Sequence, residues 1–167
     1  HGATGDGHGP MAKGLDPAPI AFTDQDRARN RSVFGLFQVI EQGLDGTAMP
    51  SFAHLSSGDR WALAFYVGGL SQDEKARSRG EALWKADANL RGQFPNLETL
   101  TKTAPAELAR TIGVSKADDL MAYLRRSPGV LAEQRDASLA FARTRLKATV
   151  NAYAAGKQHT FQIKTLD

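Results

Sequence analysis

The side chains best suited to chemistry in these 167 residues are four histidines and three methionines: His1, His8, His54, His159, Met11, Met49 and Met121. There is no cysteine, so disulfides, thiolate metal sites and thiol nucleophiles are all excluded. No HExxH, P-loop or GxSxG motif occurs, and no Ser/His/Asp set has supporting spacing. A methionine thioether can ligate a soft or borderline metal. His8, His54 and His159 read as surface residues, and Met121 as part of an apolar helix face. Met49 stands in GTAMPSF, a tight loop between two helical patterns, with small residues before it and Pro50 after it. Pro50 cannot continue a helix, so the loop is pinned. Its thioether either packs or points at a metal. His1 opens a glycine-rich stretch, HGATGDGHGPMAKGL, whose glycines and Pro10 favour turns.

Helices must position these residues. Ser32 caps a helix over about 33–43, with Val33, Leu36, Phe37, Ile40 and Leu44 on one face, ended by Gly43 and Gly46. Ser56 and Asp59 form a capping box for a helix to about Leu70, carrying Trp61, Leu63, Phe65, Tyr66 and Val67. The Ser71/Glu74 spacing predicts another helix, followed by a loop containing FPNLETL. Pro105 opens a short helix that ends at Gly113, and Ser115/Asp118 starts a further one. Ser127-Pro128 stops that helix and starts a long one to about Ala155, with 158–167 helical beyond it. No strand pattern is present, so the expected class is all-α.

Composition adds little about function. Apolar residues make up 41% and charged ones 23%. No apolar run reaches the length of a membrane span. The net charge of +3 is uneven. Residues 1–70 hold five Lys/Arg against seven Asp/Glu, a net of −2; residues 71–167 hold sixteen against eleven, a net of +5. That change of sign predicts two units, 1–70 and 71–167. The basic residues are not clustered with aromatics, which argues against nucleic-acid binding.

Three stretches in order carry a resemblance. HGATGDGHGPMAKGL resembles the segment that starts at the histidine of the Cys-x-x-Cys-His haem-attachment motif of class I c-type cytochromes. GTAMPSF resembles their methionine-ligand loop, and LSSGDRWALAFYVGGL their C-terminal helix. The resemblance implies a cytochrome c-like domain over 1–70 without its N-terminal helix, holding haem c by its iron through His1 and Met49. It implies that Gly5, Gly9 and Pro10 shape the loop at the haem edge, and that the Pro19 carbonyl receives the N–H of His1. It gives Trp61 and Tyr66 a place in the pocket. Thioether attachment would need a Cys-x-x-Cys upstream of His1. Phe22, Phe34, Phe37 and Phe65 are further candidates for apolar walls. His/Met ligation fills both axial positions, which suits electron transfer rather than catalysis.

From RRSPGVL to QIKTLD the chain resembles the periplasmic helical region of bacterial proteins that fuse a cytochrome c domain to a high-affinity iron permease. This implies an antiparallel helical unit over 71–167, a periplasmic location tethered to the inner membrane, and two partners. One is a redox protein; the other is the permease membrane domain of the same full-length chain. The permease's Arg-Glu-x-x-Glu iron motif is absent from these residues. Two other expectations stand beside this one: a haem-free all-α interaction or scaffold module, and a cytochrome subunit of another redox complex.

Overall fold

The computed structural model describes residues 1–134. The expected helices over 127–155 and 158–167 lie almost wholly outside the described residues, as does His159. The protein is all-α, and no strand occurs among the described residues. Eight helices follow one another: α1 (Gln25–Arg29), α2 (Val33–Gln42), α3 (Ser57–Gly68), α4 (Glu74–Ala86), α5 (Ala88–Gln93), α6 (Leu97–Lys102), α7 (Pro105–Ile112) and α8 (Val114–Arg126). A further helical turn opens at Val130. None is long and apolar enough to cross a membrane.

The caps explain most of these boundaries. Ser32 Oγ accepts the Gly35 N–H at 3.0 Å, and Ser56 Oγ accepts that of Asp59 at 3.1 Å. Pro105 takes the first position of α7, where a missing N–H costs nothing. Other starts differ from the sequence expectation. The cap of α4 is Asp73, whose Oδ1 accepts the Ala76 N–H at 2.7 Å; Ser71 lies before the helix and is buried. In SQDE two residues offer a capping oxygen, and the carboxylate nearer the first turn takes the donor. Ser115 lies inside α8, which starts at Val114 after Gly113 at φ 85°. The expected loop around FPNLETL contains α6, because Asn96 Oδ1 accepts the Thr99 N–H at 2.8 Å. Asp24 likewise caps the short α1.

Two apolar clusters fill the interior. α2 and α3 enclose Val33, Leu36, Phe37, Ile40 and Ala64. α4 to α8 enclose a larger set that includes Trp84, Phe94, Leu100, Leu120, Met121 and Leu124. α8 is the central element, with Ala117 and every residue from Asp119 to Arg125 buried. It lies so close to α4 that a Cβ on Gly80 would stand 1.9 Å from the Asp119 carbonyl oxygen.

The boundary expected at 70/71 does not separate two units. His1–Leu131 is one compact unit. Phe65 packs against both clusters, and α1 meets α7, α2 meets α6 and α3 meets α8. Buried polar contacts cross the same line. Arg29 grips Asp118 with Nη2 and Nε at 2.7 and 2.9 Å from one oxygen. Arg125 donates to the carbonyls of Gly68 and Arg31. Charge balance between segments does not report such contacts, because a few matched pairs suffice to join them.

Gly80→Ala should destabilise the protein by about 3 kcal/mol, since neither backbone can yield at that separation. Gly92→Ala in α5, where a Cβ meets nothing within 4 Å, should stabilise it by roughly 0.5–1 kcal/mol. Urea unfolding of the two variants checks both signs.

Candidate functional site

The N-terminal segment is an ordered loop closed on itself. The Gly7 N–H donates to the His1 carbonyl at 2.8 Å, and the Phe22 N–H to that of Gly5 at 2.7 Å. Glycine is required at two points. Gly5, at φ 74°, leaves no room for a Cβ, which would lie 2.7 Å from Leu70 Cδ1. Gly7, at φ 87°, packs on the Pro19 carbonyl oxygen at the same spacing. The His1 ring is thereby fixed. Nδ1 lies 2.9 Å from the Ile20 carbonyl oxygen, and the ring sits 4.1 Å from that of Phe22, centroid to centroid. A carbonyl only accepts, so Nδ1 carries a proton.

The Met49 loop is held as firmly. Thr47 Oγ1 donates to the Leu44 carbonyl at 2.8 Å and accepts the Met49 N–H at 3.1 Å. The Leu44 N–H closes on the Met49 carbonyl at 3.2 Å. Below it, Ser51 Oγ donates to the Glu41 carbonyl at 2.6 Å, and the Phe52 N–H to that of Ile40 at 3.0 Å. Arg60 of α3 ties the far end by donating to the carbonyls of Ala53 and Leu55 while pairing with Glu41 at 2.9 Å. A Cβ on Gly43 would stand 2.8 Å from Met49 O, Pro50 C and Ser51 N.

Both loops open on one cavity of about 510 Å³, within the usual range for ligand pockets. His1, Pro19 and Met49 all line it. Its walls are mostly apolar: Ile20 and Phe22 from the first loop, Leu36, Val39 and Ile40 from α2, Leu44 beside the methionine and Val67 from α3. Asn30, Arg31, Ser32 and Thr47 supply the polar part. Burial holds the Arg31 pKa below its ordinary value, Arg27 adds to that, and Asp24 opposes it. The Arg31 guanidinium makes no hydrogen bond or ion pair with a described residue, so the cavity has one free cation in its wall.

The remaining expected residues stand elsewhere. Pro19 lines the cavity, but the His1 N–H goes to the Ile20 carbonyl one residue on, because the Pro19 carbonyl is packed on Gly7. Gly5 and Gly9 do not touch the cavity. Gly5 supports Phe22 from behind, and Gly9 stacks on the Gly2 backbone. Pro10 is exposed. Trp61 stacks on Phe37 at 4.2 Å within the α2–α3 core, and Phe34 and Phe65 flank it there. Tyr66 is 63% exposed. A helix presents one face per neighbour, and the face of α3 that meets α2 carries Trp61, Ala64 and Phe65, so α3 gives the cavity only Val67. His8 and His54 are exposed, and Met121 is buried core, as their sequence context suggested. Arg31 and the Ile20 carbonyl were not singled out from sequence. Nothing in the local pattern marks a backbone acceptor or an arginine that folding leaves unpaired.

The chemistry available is therefore narrow. His1 and Met49 line a shared, mostly apolar space, with Arg31 in its wall. No cluster of three or more His, Cys, Asp or Glu side chains occurs among the described residues. Comparison with protein-family models, curated proteins and solved structures found no match in any of the three.

Gly43 and Gly46 share a φ of 74°, but only Gly43 is crowded. Gly43→Ala should cost about 3 kcal/mol. Gly46→Ala, with only the φ strain, should cost about 1 kcal/mol. Denaturant midpoints of the pair measure how tightly the methionine loop is seated.

Proposed function

We propose that residues 1–131 are a haem-binding electron-transfer domain, with His1 and Met49 as the axial ligands. One observation carries the reading: His1, whose Nδ1–H is given to the Ile20 carbonyl, lines the same mostly apolar cavity as Met49. Ligating histidines characteristically donate their other N–H to a carbonyl or carboxylate, which fixes the tautomer and orients the ring. Met49 stands on a loop secured at Thr47, Ser51 and Gly43, which supports its reading as the second ligand. The residues fit a haem held in this way.

A bound haem would supply a one-electron iron couple. The chain's own residues would tune it. A methionine thioether among its ligands would favour ferrous iron and raise the reduction potential. Leu36, Val39, Ile40 and Val67 would give the group apolar surroundings, which disfavour the more highly charged oxidised form. His1 and Met49 as ligands would suit it to electron transfer. Arg31 offers a charge-assisted hydrogen bond to a carboxylate at the edge of the group. A covalent thioether link would need a sulfur from beyond these residues, since they hold no cysteine. The finer reading follows the sequence resemblance. It places the domain in the periplasm, serving a redox partner and an iron permease in the same full-length chain.

The test is the full-length protein made in cells that attach haem, alongside residues 1–167 titrated with free haem. Absorbance should report a low-spin, six-coordinate iron. Met49→Ala should abolish the long-wavelength thioether-to-iron band and lower the midpoint potential. It should also lower stability, because ligand binding is linked to folding. A wild-type protein that takes up no haem, or a Met49→Ala spectrum identical to wild type, would overturn the assignment.

A further inference from the structure

The back of the cavity wall holds a second cation, and it comes from α8. Arg125 is 4% exposed. Its Nη1 donates to the Gly68 carbonyl at 3.1 Å and its Nη2 to that of Arg31 at 2.6 Å, while Nε has no acceptor. No carboxylate among the described residues pairs with it. Asp118, whose field it feels, is already gripped by Arg29. Desolvation lowers its pKa only to about 10, so the group is cationic at neutral pH. A gap of about 10 Å³ lies against it, bounded by Phe22, Arg31, Leu36 and Val67, and the same four residues line the large cavity. One layer of side chains separates a buried, unneutralised charge from the proposed haem.

Two neutral carbonyls orient a guanidinium but cannot cancel its charge, and an uncompensated buried ion costs several kcal/mol by itself. A merely structural bridge between Gly68 and Arg31 would not need a full charge. We propose that Arg125 sets the electron affinity of the group in the cavity: its fixed positive charge opposes the oxidised form and holds the reduction potential up. This rests on reading the cavity as a haem site. It gives α8, and with it the segment beyond residue 70, a share in the redox chemistry. For a group on the order of 12 Å away, at an effective dielectric constant of about 20, one unit charge would change the oxidised-to-reduced ratio roughly tenfold. For a one-electron couple that is about 59 mV.

Three substitutions separate charge from bridging. Arg125→Lys keeps the charge with poorer bridging, Arg125→Gln keeps a donor without charge, and Arg125→Met keeps neither. Midpoint potentials would be measured by spectroelectrochemistry on the haem-loaded full-length protein, with denaturant stability measured in parallel. Arg125→Gln should shift the ratio about tenfold toward oxidised haem at fixed potential, with unchanged axial-ligand bands, and Arg125→Lys should stay near wild type. Should Arg125→Met fail to fold, the Gln and Lys pair still decides. Potentials equal to wild type in Gln and Lys alike, or a drop in Lys with none in Gln, would overturn the proposal while leaving the haem reading intact. A wild-type protein without haem would overturn both, at the first absorbance measurement.

Discussion

The carbonyls of Arg31 and Gly68 meet on one guanidinium, that of Arg125, and the geometry of the cavity depends on that meeting. Arg31 leads into α2, which contributes Leu36, Val39 and Ile40 to the wall; Gly68 closes α3 beside Val67. A helix end leaves carbonyls without partners, and the Arg31 carbonyl lies just outside any helix. Supplying both from α8 fixes the spacing of two walls at once. Arg29 adds a second hold on the same segment through Asp118, whose side chain is only 13% exposed. α8 in turn is placed by its close approach to α4 at Gly80 and by its burial among Trp84, Leu100 and Leu108. The chain of dependence runs from the larger core, through α8, to the smaller one.

This arrangement is costly in electrostatic terms. A paired surface arginine contributes little to stability, while a buried one without a carboxylate opposes folding unless packing offsets it. The offset here is the large cluster along α8, where Leu120, Met121 and Leu124 are almost fully buried. The exposed pairs on α4 and α6, Arg77–Glu74, Lys85–Glu81 and Lys102–Glu98, are of the ordinary helical kind. Each partner holds its glutamate below the usual carboxylate range. These stabilise the charged carboxylates above their ordinary pKa, and that contribution fades as acid protonates them.

The two loops that carry His1 and Met49 to the cavity are held in different ways. The first loop has little regular structure, so glycines at positive φ let its backbone fold on itself and carry His1 toward the Ile20 carbonyl. The second is short and is clamped from α2 and α3 by Ser51 and Arg60. Both bring their residue, His1 or Met49, to the wall of one mostly apolar cavity.

Much of the local structure is set by the sequence itself. The all-α class, the caps at Ser32 and Ser56, Pro105 at the start of α7 and the stop at Gly43 follow from side chains acting on backbone within a few residues. The resemblance of their loops singled out His1 and Met49 in the sequence, and both residues line one cavity. The tertiary structure decided the rest. It moved the histidine's acceptor from Pro19 to Ile20, because the Pro19 carbonyl packs on Gly7. It kept Trp61 in the core and left Tyr66 at the surface, since the neighbour of a helix face is chosen by the whole fold. It joined 1–70 to the helices beyond, through Arg29, Arg125 and Phe65, where charge balance had suggested a boundary. Capping and turn chemistry act over three or four residues and can be read in order. Which carbonyl meets which arginine 57 or 94 residues away depends on packing that no local pattern encodes.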